Sequence, residues 1–221
     1  MNRYELIAFD LDGTLTDPAL GLTTGFEYAF RKMGIDAGDR QSLCRFIGPP
    51  LFECWQVDPG LSAEDADRAV ELFREYYTVY GWRENRVYDG IPELLSELKA
   101  RGFELGVATS KPEVQARKII NLFGLDKYFD YVGGAVSHHI RATKSEVLAY
   151  SIAEAGNVPY DRCILVGDRR FDAEGAAALG IDSLGVLWGH GSEEEVRGAG
   201  FTYIAENVAD VLGVLDRVKK V

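Results

Sequence analysis

Near the start of the chain, a short, uninterrupted apolar run, Leu6–Phe9, stops at two acidic residues, Asp10 and Asp12. Four consecutive apolar positions are typical of a strand covered on both faces of a parallel sheet, whereas a half-exposed strand would alternate. Ligands of such sheets bind beyond the carboxyl ends of the strands. We therefore expect Asp10 and Asp12 at an edge where chemistry takes place, although in isolation they could be solvated acids of an Asp-Gly turn.

From Tyr88 onward the pattern alternates regularly. Helices that each precede a glycine are predicted over 92–100, 112–123, 144–155 and 171–179. Strands are predicted over 103–108, 131–136, 163–166 and 183–187, with a last strand at 201–204 and a closing helix at 208–218. Strands that alternate with helices of about ten residues indicate right-handed crossovers. The predicted fold class is α/β, with a doubly wound parallel sheet.

The segment 16–87 differs, because it shows helical spacing and no convincing strand. Apolar residues recur before Gly34, and again between Ser62, a good N-cap, and Gly81. The aromatic residues of 73–82 can pack against the first of these helices or line a substrate pocket. The expected organisation is a helical cap domain at 16–87, inserted into an α/β core domain made of 1–15 and 88–221.

An insertion that starts at the catalytic edge of a sheet can act as a lid that excludes water and selects substrates. Within this segment, Arg45 leads into a break at Gly48, Pro49 and Pro50, which cannot continue a helix and should form a stiff loop. Arg45 can pair with an anionic group of a substrate. It is equally consistent with a surface arginine beside a helix break.

Charge and composition exclude several classes of function. Asp and Glu number 35 against 24 Lys and Arg, giving a net charge of -11. Nucleic-acid binding is disfavoured, because it needs a positive surface. No apolar stretch is long enough to span a membrane, and the first residues do not resemble a secretory signal. The cysteines, Cys44, Cys54 and Cys163, form no Cys-x-x-Cys pair. We expect a cytoplasmic protein that binds neither nucleic acid nor membranes.

Polar residues also follow other predicted strands. Thr109 and Ser110 lie just before a predicted helix, where hydroxyl and backbone N–H groups can hold a phosphate. Ser110 can equally cap that helix. Lys144 opens a further helix although a cation is unfavourable against the helix dipole there, so a bound anion or the Asp10 carboxylate would account for it. A solvated surface lysine is the alternative.

The strand at 163–166 ends in Gly167 and Asp168, with Asp172 one helical turn later. Gly167 permits a sharp turn, and Asp168 stands at a strand end as Asp10 does. These acids can complete a site of oxygen ligands for Mg2+, or Asp168 can simply cap the next helix. The agreement of separate signals at successive strand ends favours one shared site over the separate structural explanations.

Together, Asp10-Leu11-Asp12-Gly13-Thr14, Thr109, Lys144 and Gly167-Asp168 with Asp172 resemble the haloacid dehalogenase superfamily, in its branch with a helical cap. The stretches 46–51, 108–112 and 185–189 look like the phosphoglycolate phosphatase and 5'-nucleotidase group. The resemblance implies a Rossmann-like core and a Mg2+-dependent phosphatase acting on a small phosphate ester. Dehalogenation is disfavoured, because the family's dehalogenases lack the second acid that Asp12 supplies here.

The resemblance also implies roles for single residues. Asp10 would be the nucleophile that becomes an aspartyl phosphate, and Asp12 would protonate the leaving oxygen and then activate water. Thr109 and Lys144 would hold the phosphate, with Ser110 and Gly13 as further substrate contacts. The metal would be bound by Asp10, the carbonyl of Asp12 and Asp168, with Asp172 as an additional ligand or a support.

Other interpretations remain open at this point. A phosphomutase would need the cap to hold a second phosphate. A phospho-signalling receiver module also combines acids, Thr and Lys on a doubly wound sheet, but it has no use for a lid of this size. The histidines, His138, His139 and His190, show no metal-ligand spacing and are assigned to surface loops. The physiological substrate is not readable from the sequence, and both a monomer and a homodimer are compatible with it.

Overall fold

A computed structural model describes residues 3–49, 51–136, 141 and 143–218. The chain divides into two compact units. One, the core unit, consists of Met1–Thr16 and Val87–Val221, and the other, the helical unit, of Asp17–Arg86. The boundaries expected from the sequence lay at 15/16 and 87/88.

The core unit is built on a sheet of six parallel strands. In chain order the strands of the molecule are β1 Leu6–Phe9, β2 Thr16–Asp17, β3 Arg86–Val87, β4 Glu104–Pro112, β5 Tyr131–Ala135, β6 Cys163–Gly167, β7 Asp182–Val186 and β8 Tyr203–Ala205. The order across the six-stranded sheet is β5-β4-β1-β6-β7-β8, while β2 and β3 form a separate pair. The parallel α/β prediction is therefore confirmed.

Strand β1 occupies an interior position in this sheet, between β4 and β6. Leu6 is in register with Glu104 on one side and Cys163 on the other. All four residues of β1 are buried, as its unbroken apolar sequence predicted. The carboxyl ends of β1, β4 and β6 consequently lie side by side at one edge of the sheet.

The helical unit contains α1 Ala19–Met33, α2 Arg40–Leu43, α3 Leu51–Val57 and α4 Ala63–Tyr77. Its core is aromatic: the Phe26 ring lies 4.9 Å from Phe46, 5.1 Å from Trp55 and 5.0 Å from Phe73, centroid to centroid. Phe73 thus packs against α1, as one of the two interpretations of the aromatic run held. Tyr80, at the end of that run, is 61% exposed.

The predicted end of the second long helix at Gly81 is wrong. Helix α4 begins after its N-cap Ser62 as expected but ends at Tyr77, and Gly81 opens a separate 3₁₀ turn, Gly81–Arg83. The physical reason is close backbone packing. A Cβ on Gly21 of α1 would lie 1.9 Å from the Gly81 carbonyl oxygen, so this pair of glycines allows the turn to approach α1.

The core unit continues with α5 Ile91–Ala100, α6 Glu113–Leu122, α7 Lys144–Glu154, α8 Arg170–Ala177, α9 Glu193–Gly198 and α10 Asp210–Arg217. Val147 of α7 and Ala176 of α8 pack with Leu6 and Leu165 of the sheet in one buried cluster. Helix α9 was not predicted. All the helices that were predicted after Tyr88 are present, each within a few residues of its expected position.

Strand β4 is longer than predicted. It extends to Pro112, and α6 starts at Glu113 without a side-chain cap. The continuation is stabilised by burial, because Thr109 and Lys111 are only 2% and 8% exposed. Ser110 therefore lies within a strand, and the capping role considered for it is wrong.

Candidate active site

Three carboxylates meet at the carboxyl edge of the sheet. Asp10 follows β1, whereas Asp168 and Asp172 follow β6, and one oxygen of each lies within 4.8 Å of the others. All three side chains are buried. From the sequence we predicted that these acids share one site, and the structure places them together.

Asp172 is positioned by the first turn of α8. The Arg169 backbone N–H donates to Asp172 Oδ2 at 3.1 Å, so Arg169 and not Asp168 stands at the N-cap of the helix. The capping role considered for Asp168 is therefore wrong. A Cβ on Gly167 would lie 2.2 Å from Asp172 Cγ. The glycine at the end of β6 leaves the room that this carboxyl group fills.

Asp168 is held by the loops that follow β1 and β7. Thr14 Oγ1 donates to Asp168 Oδ1 at 3.2 Å, and the backbone N–H of His190 donates to Asp168 Oδ2 at 2.8 Å. Gly13 has a φ of 86°, and a Cβ there would lie 2.2 Å from Asp168 Oδ2. In this structure Gly13 makes room for Asp168, and its predicted contact with substrate stays a prediction.

Lys144 links the acids. Its Nζ lies 2.9 Å from Asp10 Oδ1 and 2.7 Å from Asp172 Oδ1, and it donates to the Ala108 carbonyl at 3.1 Å. Burial by itself lowers the pKa of Lys144, but the carboxylates of Asp10 and Asp172 raise it above its ordinary value. Lys144 is therefore a charged residue at the start of α7, and the carboxylates offset its unfavourable interaction with the helix dipole.

Asp12 belongs to a different ion pair. Its Oδ2 lies 2.6 Å from Lys111 Nζ, and both side chains are almost fully buried. Burial raises the pKa of Asp12, although Lys111 opposes that shift. The Asp12 carboxylate is outside the cluster of three acids. Its predicted part in metal binding, through the backbone carbonyl, stays a prediction.

The donor set of the three-acid cluster fits a divalent cation. Asp10 Oδ1 and Asp172 Oδ1 are buried and accept no well-directed hydrogen bond from a described residue, although Lys144 is close to both. With every group ionised, the acids of the site and the two lysines leave a formal charge of -2. Carboxylate oxygens are the ligands preferred by Mg2+ and Ca2+.

The pKa values of Asp168 and Asp172 also favour a bound divalent cation. Burial and the neighbouring Asp10 raise the pKa of Asp168 from 3.8 to about 6. Burial raises the pKa of Asp172 from 3.8 to about 7, against the opposing effect of Lys144. Desolvated, mutually repelling carboxylates disfavour their charged forms. A bound divalent cation would relieve this repulsion.

The remaining predicted substrate contacts, Thr109, Ser110 and Arg45, lie in different parts of the structure. Thr109 is buried within β4, where its Oγ1 accepts a hydrogen bond from the Lys111 backbone N–H at 3.2 Å. Ser110 is half-buried. Arg45 lies in the helical unit, where its guanidinium pairs with Asp58 at 2.5 Å and stacks 4.4 Å from the centre of the Phe46 ring. The proposed substrate contact of Arg45 therefore remains a prediction.

Lys111 is the functional candidate that sequence reasoning missed. The signal was present, because Lys111 is two residues beyond Thr109 and residues two apart on a strand face the same side. The strand predicted from the sequence ends at Ala108, so that prediction does not include Lys111. Among the histidines, His190 is half-buried and contributes its backbone N–H, while His138 and His139 lie outside the described residues.

Comparison with known families tests the resemblance suggested by the motifs. The model of the haloacid dehalogenase-like hydrolase family matches residues 7–186. The chain belongs to this family. Both the α/β fold and the acidic site at the carboxyl edge of its sheet agree with that membership. The helical unit lies inside the matched range.

Relatives of this haloacid dehalogenase-like hydrolase carry several functional names. A 5'-nucleotidase of Pseudomonas aeruginosa is 42% identical over 97% of this chain and 96% of its own length. Tyrosine-protein kinase PtkA of Mycobacterium tuberculosis is 37% identical over 95% of this chain and 73% of its own length. The crystal structure of a predicted phosphatase from Clostridium acetobutylicum is 40% identical, with a TM-score of 0.92, and the match covers 97% of this chain and 99% of that one.

Among the described residues of this hydrolase, no helix combines the length and the apolar character required to cross a lipid bilayer.

Proposed function

We propose that this chain is a Mg2+-dependent phosphatase that hydrolyses a small phosphomonoester through a phosphorylated Asp10. One observation carries the proposal. Asp10 pairs with Lys144 and lies within 4.8 Å of the other acids of the cluster, whereas Asp12, two residues later, is bound separately by Lys111. The two acids therefore stand in different environments, as a nucleophile and an acid/base group would. The 5'-nucleotidase name of one relative supports a small phosphate ester as the substrate.

The side chains divide the work as follows. Asp10 attacks phosphorus, and Asp12 gives a proton to the leaving oxygen. Asp12 then takes a proton from the water that attacks the phosphorylated Asp10, so that both acids return to their starting states. Lys144 offsets negative charge beside Asp10, and Thr109 offers a hydroxyl to a phosphate oxygen. Such a site works mainly by positioning and by charge neutralisation.

Asp10, Asp168 and Asp172 would hold the metal, with the Asp12 carbonyl as a further ligand. When bound, Mg2+ would neutralise charge on the transferring phosphoryl group. The preference for Mg2+ over other hard cations rests on the family resemblance and on the oxygen ligands. We assign substrate selection to the helical unit, where Arg45 is the candidate contact, and we expect the protein to act in the cytoplasm.

A panel of phosphate esters tests the assignment. It contains p-nitrophenyl phosphate, phosphoglycolate, nucleoside monophosphates, sugar phosphates and pyrophosphate, each with Mg2+ and with EDTA. We expect phosphate release from at least one ester, only with Mg2+, and none from the Asp10→Asn variant. A wild-type protein that releases no phosphate across the panel contradicts the proposal.

Three further assays separate alternative activities. Conversion of a sugar phosphate into its isomer would identify a phosphomutase. A stable phosphorylated protein that releases no phosphate would identify a receiver-like module. Transfer from ATP to a tyrosine peptide would match the name of the mycobacterial relative. The proposed phosphatase should give none of these results.

A further inference from the structure

The ion pair of Asp12 with Lys111 has a geometry that treats the two carboxylate oxygens differently. Lys111 Nζ lies 2.6 Å from Oδ2. The other oxygen, Oδ1, is buried and accepts no hydrogen bond from any described residue. One oxygen is therefore anchored, and the other is open to exchange a proton with a neighbouring group.

The position of Lys111 is itself fixed by the strand that carries it. Its backbone N–H donates to Thr109 Oγ1, and its side chain is only 6% exposed. Strand β5 approaches this segment closely, because a Cβ on Gly134 would lie 2.7 Å from the Lys111 carbonyl oxygen. The pairing of β4 with β5 also shifts register between Thr109 and Pro112. This irregular strand end places Thr109 and Lys111 on the site together.

We propose that Lys111 is a positioning residue for the proton transfers of Asp12. It holds Oδ2 so that Oδ1 is the oxygen that gives and takes the proton. This role rests on the proposed phosphatase function and makes it more specific.

The proton balance follows from this assignment. In the first half-reaction Asp10 forms a bond to phosphorus, the ester oxygen leaves, and the proton on Asp12 Oδ1 moves to that oxygen. In the second, water forms a bond to phosphorus and the bond to Asp10 breaks. The water proton moves to Asp12 Oδ1. Neither step needs an oxidant, a reductant or a further co-reactant.

Leaving-group dependence tests the role of Lys111. Nitrophenolate leaves without a proton at neutral pH, whereas the alkoxide of glycerol phosphate needs one. We compare kcat/KM for both esters, since this ratio reports the steps up to the loss of the leaving group. In the Lys111→Met variant, kcat/KM for glycerol phosphate should fall at least about tenfold more than for p-nitrophenyl phosphate. Asp12→Asn should show the same pattern.

Two comparisons make the test specific. The double variant, Lys111→Met with Asp12→Asn, should lose little more than Asp12→Asn alone, because the two residues act as a unit. Lys111→Arg, which keeps the charge, should recover part of the loss. The matched control is Lys99→Met, since Lys99 pairs with Asp130 on the surface; its two kcat/KM values should stay at those of the wild type.

Mg2+ affinity provides a readout that does not depend on turnover. Lys111 pairs with Asp12, whose carboxylate is outside the three-acid cluster, so titration calorimetry should give the Lys111→Met variant the Mg2+ affinity of the wild type. Circular dichroism verifies folding, and Lys111→Gln replaces the methionine variant if that one does not fold.

The outcomes separate the two proposals. An equal fall for both esters, an additive double variant or a lost Mg2+ affinity would overturn the role of Lys111 while leaving the phosphatase assignment in place. A wild-type protein that releases no phosphate from these two esters or from any ester of the panel would overturn the phosphatase assignment, and the role of Lys111 with it.

Discussion

Two buried lysines form ion pairs with different acidic residues of the site. Lys144 lies between Asp10 and Asp172, and Lys111 pairs with Asp12. Buried carboxylates this close together require compensating charge. The division gives neighbouring acids of one short motif different partners, and it provides a physical basis for giving them different chemical duties.

Replacing Gly13 tests whether its contact with Asp168 positions that carboxylate. An alanine there must adopt a positive φ, which costs about 1–2 kcal/mol, and its Cβ would also collide with Asp168 Oδ2. Gly13→Ala should therefore lower the unfolding free energy by roughly 3 kcal/mol in all and weaken Mg2+ binding. Thermal denaturation and titration calorimetry measure the two effects.

Gly102 supplies the matched control. It has a φ of 83°, close to that of Gly13, but nothing lies within 4 Å of a Cβ built on it. Gly102→Ala should show only the backbone cost and an unchanged Mg2+ affinity. Equal behaviour of the two variants would show that the contact between Gly13 and Asp168 does not position the metal ligand.

At the scale of elements, the helical unit has its own aromatic core. Phe26 is 1% exposed and contacts the rings of Phe46, Trp55 and Phe73. Phe26→Ala should lower the unfolding free energy of this unit by about 3–5 kcal/mol, because it removes a buried ring and leaves a cavity. Chemical denaturation monitored by tryptophan fluorescence measures the loss, since Trp55 lies in this core.

Tyr80→Ala serves as the comparison for Phe26→Ala. Both residues are aromatic members of the helical unit, but Tyr80 is largely exposed. Its replacement should change the unfolding free energy by less than about 0.5 kcal/mol. A large loss in Tyr80→Ala, or a negligible one in Phe26→Ala, would contradict the packing described for this unit.

Periodicity predicted most of the elements, because the signals were local. The apolar run of β1 and the glycine after α1 at Gly34, in the left-handed conformation, are examples. Helix α9 was missed although Ser192 is an N-cap followed by acidic residues, because the helix is short and only Val196 on it is buried. Neither the end of α4 nor the length of β4 is set locally. One depends on packing between Gly21 and Gly81, and the other on the burial of Lys111.

Local sequence patterns also predict only part of the candidate site. Residue types at successive strand ends predicted that Asp10, Lys144, Asp168 and Asp172 would come together, because parallel strands share a carboxyl edge. The partner of Asp12 was not predicted, because the strand prediction ended at Ala108 and so did not include Lys111. The hydrogen bonds that hold Asp168 come from loops distant in sequence, after β1 and β7, whose conformations leave no simple pattern in the residues.

At the scale of the whole molecule, the buried acids couple metal binding to stability and pH. The pKa values of Asp168 and Asp172 are raised to about 6 and about 7 in the metal-free fold, while the unfolded chain titrates near 3.8. Between about pH 4 and pH 7 the folded state therefore binds more protons than the unfolded state. The metal-free protein should lose stability as pH rises through this window.

Magnesium should reverse that trend, because it binds the deprotonated carboxylates. The rise in Tm caused by Mg2+ should be larger at about pH 8 than at about pH 5, where protons compete with the metal. Differential scanning calorimetry at both pH values, with Mg2+ and with EDTA, measures this effect. A rise in Tm that is equal at both pH values would contradict the assignment of these acids as the metal site.

Phosphorylation of Asp10 is the step on which the proposed phosphatase mechanism depends, and chemical trapping can detect it. The protein is incubated with Mg2+ and p-nitrophenyl phosphate and quenched with borohydride, which reduces an acyl phosphate to an alcohol. Peptide mass spectrometry then locates the reduced residue. We predict reduction at position 10 in the wild type and none in Asp10→Asn. Phosphate release with reduction at Asp12, or at no aspartate, would contradict the account.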